Sequence, residues 1–272
     1  MIEKKNFPPS LSMDTRQFIR FVQQRLHQQP LEPLSFTLKR DVQRISAVLF
    51  LLGLDTNKKV CLILNKRSRR VRQPGDLCCP GGGITPAVDS LLSKCLDLPF
   101  SPFSAWLYRK RYQQTHRSGG RKLKLLLATA LREGVEEMRL NPFLVSFLGR
   151  LPDQQLWMFK RSIYPLVGWI RYQQRFFPNW EVDRIIRIPL RSFFEAKRYA
   201  RFLLNADEQD ESWDMPCFIH KEQGQSELLW GATYRISLHF LRTVFGFTEP
   251  PLAARPRVRY SLAANYQTGS KT

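Results

Sequence analysis

The sequence predicts an α/β domain, and three observations predict it. Ile45 to Leu54 and Val60 to Leu64 are short apolar runs joined by the turn residues Asp55-Thr56-Asn57-Lys58-Lys59, the pattern of a buried β-hairpin. Leu125 to Leu140 is dense in Leu, Ala and Glu, which cost little in a helix, and Asn141-Pro142 ends it. The rest of the chain offers strand candidates at Phe143 to Leu148, Ile163 to Tyr172, Ile185 to Ile188, Phe202 to Leu204 and Cys217 to His220. A helix at Ala232 to Phe245 then follows.

Taken in order, residues 1–44 form an N-terminal helical extension. Phe18, Ile19, Phe21 and Val22 give an amphipathic helix from about Thr15 to His27, started near Ser12 or Asp14. Gln29 to Leu34 is a proline-bearing connector. Residues 45–247 form the main domain. Behind its hairpin comes a run of cations without one acid: Lys66, Arg67, Arg69, Arg70 and Arg72. Gln73-Pro74-Gly75-Asp76 and Pro80-Gly81-Gly82-Gly83 read as two tight loops around a short apolar piece. Residues 86–124 read as an insertion, partly helical and partly flexible. Arg109 to Lys124 holds seven lysines and arginines, no acid, and Gly119-Gly120. Gln223-Gly224-Gln225 suits a turn, Trp230 a core position, and Thr233 the cap of the last helix. Residues 248–272 read as a basic, loose tail.

Among 272 residues, 43 Lys and Arg face 23 Asp and Glu, a formal charge of +20. Such a charge suits polyanions: nucleotides, nucleic acids or anionic lipid surfaces. Cys61, Cys78, Cys79, Cys95 and Cys217 show no C-x-x-C spacing, and His27, His116, His220 and His239 are scattered, which argues against a zinc site. The odd cysteine count argues against a disulfide framework and for reduced thiols in the cytoplasm, with Cys78 and Cys79 as small buried residues. Met1 to Ser10 has no secretory apolar core, and the longest apolar run, Ala47 to Leu54, is too short to span a bilayer, so a soluble protein is expected.

The chemistry concentrates in Arg132-Glu133-Gly134-Val135-Glu136-Glu137. On a helix Glu133 neighbours Glu136 at i+3 and Glu137 at i+4, where like charges repel. A hard divalent cation would relieve that repulsion; a solvated acidic face is the other reading of the trio alone. Gly134 costs about 1 kcal/mol relative to alanine inside a helix, which suggests close packing there.

The surrounding motifs resemble the Nudix hydrolases, whose signature is G-x5-E-x7-R-E-U-x-E-E-x-G-U, with U apolar. Leu64-Asn65-Lys66-Arg67-Ser68-Arg69-Arg70-Val71-Arg72-Gln73-Pro74-Gly75-Asp76-Leu77-Cys78-Cys79-Pro80-Gly81-Gly82, followed by Thr129-Ala130-Leu131-Arg132-Glu133-Gly134-Val135-Glu136-Glu137, resembles the coenzyme A diphosphatase branch. Leu148-Gly149-Arg150-Leu151-Pro152, Tyr164-Pro165-Leu166-Val167-Gly168, Glu181-Val182 and Trp230-Gly231-Ala232-Thr233 extend the likeness over Arg44 to Phe245. There are departures. Lys124 stands eight residues before Arg132, where the first signature glutamate would fall. Arg139 replaces a glycine, Gly134 a larger residue, and Gln73 a histidine. The stretch between Gly82 and Thr129 is much longer than the branch's usual spacing.

The resemblance implies a mixed curved sheet between helices. It implies Mg²⁺ or Mn²⁺ on Glu133 and Glu137, with Glu136 as a third ligand, directly or through water. Gly81 and Gly82 would let the backbone approach metal or phosphate. Arg132 would orient a signature carboxylate, and Arg67 and Arg72 would bind phosphate. Glu181 would be a general base or extra ligand, or else a loop acid paired with Arg184. The implied reaction cuts a phosphoanhydride in a nucleoside diphosphate-linked substrate. Coenzyme A or acyl-CoA is favoured, giving 3′,5′-ADP and 4′-phosphopantetheine. The alternatives are ADP-ribose, a dinucleotide or an RNA cap as substrate, or a weakened fold that only binds nucleotide or RNA.

Overall fold

A computed structural model describes residues 7–37, 41–115, 117–156, 161–173, 175–205, 212–222 and 224–260, with Tyr266 and Thr268. Outside the described residues lie 1–6 and 38–40 of the predicted extension, His116 of the predicted insertion, Gln223 of the predicted turn and most of 261–272.

Helix α1 (Thr15–Gln28) starts where Asp14 accepts hydrogen bonds from the Arg16 and Gln17 amides, satisfying two of the helix's orphan donors. The apolar hairpin is strands β1 (Ile45–Leu54) and β2 (Val60–Arg67), antiparallel with Leu51 opposite Ile63. Two short strands follow, β3 (Leu77–Cys78) and β4 (Gly81–Gly83). Next come helices α2 (Pro86–Cys95), α3 (Arg109–Thr115) and α4 (Arg117–Met138). Strands β5 (Val145–Arg150), β6 (Gln154–Leu156), β7 (Arg161–Ile170) and β8 (Val182–Pro189) complete the main sheet. Strands β9 (Tyr199–Asn205), β10 (Ser212–Glu222) and β11 (Gln225–Trp230) make a separate antiparallel sheet, and helix α5 (Gly231–Phe245) follows.

The main sheet runs β3-β2-β1-β7-β5, with β4 on β1, β6 on β7 and β8 on β2. β1 and β7 are parallel and the other pairs antiparallel, so the sheet is mixed. β1 explains the layering. Its side chains alternate, and nine of its ten residues are buried. Val48, Phe50 and Leu52 enter a core built with α1 and α5, while Ala47, Leu49 and Leu51 enter the core under α4. A strand buried on both faces reads as a continuous apolar run, which Ile45 to Leu54 is. α1 supplies Phe18, Val22 and Leu26 to the first core and is thus part of the domain's packing.

Five local expectations need correction. Gly81–Gly83 is a strand edge pairing with Ser46 to Val48, not a tight loop. α4 begins at Arg117, so Gly119-Gly120 lies inside a helix. Its following apolar turns, Leu123 and Leu125 to Leu127, are buried and hold the basic start in place. The same helix ends at Met138, not Leu140, because Arg139 adopts φ 55° and turns the chain back. Thr233 does not cap α5: it sits within the helix, and its N-cap Trp230 makes no side-chain cap bond. Part of the segment expected to be loose is held: the Val258 amide donates to the Arg201 carbonyl, and the buried Arg255 guanidinium donates to Tyr234 and Pro250. The outer edge of β9 is otherwise open, and this segment covers it. β6, with two glutamines in three residues, had no apolar run to announce it, and β11 shows only Leu228-Leu229-Trp230 behind a polar start.

Among the described residues, no helix is long and apolar enough to cross a membrane. All five cysteines are free thiols; burial pushes the Cys78 thiol up to about 12 and raises that of Cys79, as suits packing residues.

Candidate active site

α4 lays one turn, Arg132 to Glu137, against the glycine strand β4. The closeness is written into the glycines. A Cβ at Gly82 would lie 2.5 Å from Glu133 Oε1, and one at Gly81 would lie 2.4 Å from the Ala47 carbonyl oxygen. Gly81 also has φ 152°, a backbone that glycine adopts without strain. Only a side-chain-free strand lets the helix carboxylates reach the sheet.

The three glutamates have different fates. Glu137 is buried and accepts hydrogen bonds from Asn65 Nδ2 at 2.8 Å and the Gly81 amide at 3.2 Å, both on Oε2. Burial pushes its carboxyl up to about 8, and the charges of Glu133 and Glu181 push the same way; Gly81 and Arg67 pull back. Glu133 is largely covered, and burial raises its carboxyl too, with Glu136 and Glu181 adding to it against Arg132. Glu136 faces solvent, 53% exposed, and pairs with Arg132 at 3.0 Å.

Arg132 is the hub. Its Nε donates to Asp89 Oδ1 at 2.7 Å, and its Nη2 donates to the Gly83 carbonyl at 2.9 Å and stands 3.0 Å from Glu133 Oε1. Burial works against its charge, but these partners outweigh it and hold the guanidinium above its ordinary pKa. Asp89, on α2, is fully buried and also accepts from the Thr85 amide and the Thr129 hydroxyl. Every bond to this carboxylate is charge-assisted or comes from an oriented donor.

Asp89 was missed in the sequence, and the structure shows where the signal lay. It stands six residues after Gly83, so Gly83-Ile84-Thr85-Pro86-Ala87-Val88-Asp89 reads as G-x5-D, the opening of the signature with aspartate for glutamate. Helices α2 and α4 pack together and restore the split signature in space. Lys124 is therefore not the replacement for that acid: it pairs with Asp97, away from the glutamate turn. Arg139 takes the positive φ of 55° at the position where the signature has glycine. Gly134 is explained by packing, since a Cβ there would lie 2.7 Å from Leu140 Cδ2.

The remaining predicted residues divide. Arg67 reaches the site, because its charge acts on Glu137, and its Nε is fixed by the Arg72 carbonyl at 2.7 Å. Arg72 is exposed and contributes that carbonyl. Lys66 is engaged elsewhere, with Glu227. Glu181 acts electrostatically on both Glu133 and Glu137, and its amide donates to Asn179 Oδ1 at 2.9 Å, which fixes the backbone there. The alternative pairing of Glu181 with Arg184 is not formed; Arg184 turns to Glu227 and Asp183.

Does this set fit a divalent metal? Among the described residues, no three His, Cys, Asp or Glu side chains converge as a ready-made metal cage. Two raised carboxylates one helical turn apart do stand together, and beside them the buried Asn65 Oδ1 has no hydrogen-bond partner. Hard oxygen donors short of positive charge suit Mg²⁺ or Mn²⁺. Mg²⁺ in particular binds through one or two carboxylates and completes its shell with water and substrate phosphates.

No family model matches the chain. A curated relative, the uncharacterized Nudix hydrolase NudL of Pectobacterium atrosepticum, is 31% identical over 112 residues, which is 41% of this chain and 55% of that protein. The chain thus spans about half the length of that relative. Among solved structures, it is similar to a MutT/nudix family protein from Enterococcus faecalis at 12% identity and TM-score 0.38, over 89% of this chain and 73% of that one. It is also similar to a NUDIX hydrolase from Alicyclobacillus acidocaldarius at 16% identity and TM-score 0.35, over 54% and 79%. The curated relative bears the superfamily name that the motifs of this sequence resemble.

Proposed function

We propose that the protein is a Nudix-type hydrolase that cuts a phosphoanhydride in a nucleoside diphosphate-linked substrate, with coenzyme A or an acyl-CoA as the favoured one. The observation that carries this reading is the pair Glu133 and Glu137, two under-compensated carboxylates laid on the Gly81–Gly82 strand beside Arg67. The local identity to a Nudix relative supports it.

Glu133 and Glu137 would hold Mg²⁺ or Mn²⁺, and a bound divalent ion supplies charge neutralisation of the diphosphate and a more acidic water. The chain's own residues do the rest. Arg132, locked by Asp89, holds Glu133 in one orientation and leaves Glu136 at the rim as a water-mediated contact. Arg67 presents a guanidinium whose geometry matches phosphate oxygens. Glu181 takes the proton of the attacking water, being the site carboxylate contributed from outside α4. Bare Gly82 lets the Glu133 carboxylate sit directly on the strand, and Gly81 offers its amide to Glu137.

The test is incubation of purified protein with coenzyme A and Mn²⁺ or Mg²⁺, with mass detection of products, alongside ADP-ribose, dinucleotides and capped RNA. Release of 3′,5′-ADP and 4′-phosphopantetheine is the expected result. Turnover of another diphosphate in preference would move the substrate; turnover of none would sink the enzyme reading.

A further inference from the structure

Helix α2 is amphipathic with its apolar face turned outward. Asp89 is its one buried residue, and Ser90 and Ser93 are half-buried beside it, so a polar face meets the protein. The opposite face carries Val88, Leu91, Leu92 and Cys95, at the i, i+3, i+4, i+7 spacing that stacks side chains along one side of a helix. Val88 is 45% exposed, Leu91 64% and Leu92 37%, and Cys95 is exposed as well. The Leu98 amide donates to the Cys95 carbonyl at 3.2 Å, which carries the stripe one turn further, with Leu98 59% exposed. Phe100 stands at the tip, 88% exposed.

Single apolar residues on a surface need no account, but a contiguous stripe marks a place where something docks. The charge around this one points to the occupant. Asp97, just past the helix, pairs with Lys124 at 2.5 Å and with Arg109 at 3.6 Å. These pairs bring the starts of α3 and α4 to the C-terminal end of α2. Exposed Lys110 of α3 and exposed Arg121, one turn before Lys124 in α4, therefore flank that end, and exposed Lys94 lies on α2 itself. From Pro86 to Lys124 eight lysines and arginines stand against two acids, Asp89 and Asp97, and both acids are engaged in ion pairs. A second copy of this chain fits such a rim poorly. A two-fold contact sets the same patch against itself, so the cations would meet their own kind.

We propose that this face docks on an anionic bilayer surface, with Leu91, Leu92, Leu98 and Phe100 entering the headgroup region and Lys94, Lys110 and Arg121 meeting the lipid charges. The stripe is a convex helix face with a protruding tip, a shape that a fluid surface accepts and a rigid pocket does not. Long cationic side chains keep their charge among the headgroups while their stems follow the apolar residues inward. The polar inner face keeps α2 on α4 meanwhile, through the bonds of Asp89 to Arg132 and Thr129. The inference concerns the outer face of α2 and stands apart from the proposed chemistry.

Cosedimentation of the full chain with vesicles of phosphatidylcholine alone, and of phosphatidylcholine with about 30% phosphatidylserine, tests this. Binding to the mixed vesicles about tenfold stronger than to the neutral ones is expected. Salt at about 0.5 M should weaken it. Leu91→Glu combined with Phe100→Glu should abolish binding, and Lys94→Gln combined with Arg121→Gln should reduce the anionic preference severalfold. All four side chains are exposed, so the melting temperature should hold in both variants. Absence of binding, equal binding to the two vesicles, or binding indifferent to Leu91→Glu with Phe100→Glu would overturn the proposal. So would a dimer in sedimentation velocity that this substitution dissolves, which would give the face to a second copy. Binding to poly-glutamate in place of vesicles would give it to an acidic protein and overturn the proposal too.

Discussion

Two acidic clusters flank Arg132, and they differ in one respect. On one side Asp89 is fully buried and fully compensated by Arg132, Thr129 and the Thr85 amide. On the other, Glu133 shares Arg132 with Asp89 and Glu136, Glu137 accepts only from the neutral Asn65 amide and Gly81 N–H, and both carboxyls are pushed up. The same helix turn therefore carries a closed network and an open one. A closed network fixes geometry. An open one is stable only at a cost, which a cation relieves. Burial alone does not separate framework from chemistry; compensation does.

The comparison can be broken most sharply at Asp89. Asp89→Ala severs the buried pair with Arg132 and leaves the Thr85 amide and Thr129 hydroxyl without their carboxylate acceptor, and should cost about 3–5 kcal/mol in urea unfolding, as for other severed buried pairs. Glu137→Gln should do the opposite to stability. Without metal, folded Glu137 keeps its proton up to about 8, whereas the unfolded group loses it near the ordinary 4.5. The folded state thus binds the extra proton between those values, and wild-type stability falls as pH rises across that window. Glutamine removes the fall and should gain about 1–3 kcal/mol at pH 8 in chelator, measured by the same unfolding curves. If both substitutions destabilise alike, the two clusters are not different in kind.

On the proposed function, Arg67→Ala should raise KM for the diphosphate about tenfold while sparing the melting temperature, since it would remove the proposed phosphate contact and little packing. The smallest effect is expected at Arg139. Its left-handed backbone costs a non-glycine residue about 1 kcal/mol, so Arg139→Gly should stabilise by about that amount with activity intact.

Much of this was legible in the sequence, for reasons that also explain the rest. β1 and the later turns of α4 are long and apolar, so periodicity and propensity found them. The start of α4 was hidden because Gly119-Gly120 and a run of cations read as a break, although tertiary burial of Leu123 and its neighbours overrides both. β4 was hidden because Gly81–Gly83 has no side chains to show a strand period; its partner Ser46 to Val48 supplies the structure. The glutamate turn was visible as a local motif. Asp89 was not, because its partner Arg132 lies far along the chain across α2 and α3, and only folding joins them.

The central claim is that Glu133 and Glu137 form an open carboxylate pair awaiting a divalent cation. Mn²⁺ titration by calorimetry at pH 7.5, on wild type and on Glu137→Gln, tests it most directly. The account predicts saturable Mn²⁺ binding with proton release in wild type, and loss of that binding in Glu137→Gln with the fold retained. Equal Mn²⁺ affinity in the two proteins would contradict it.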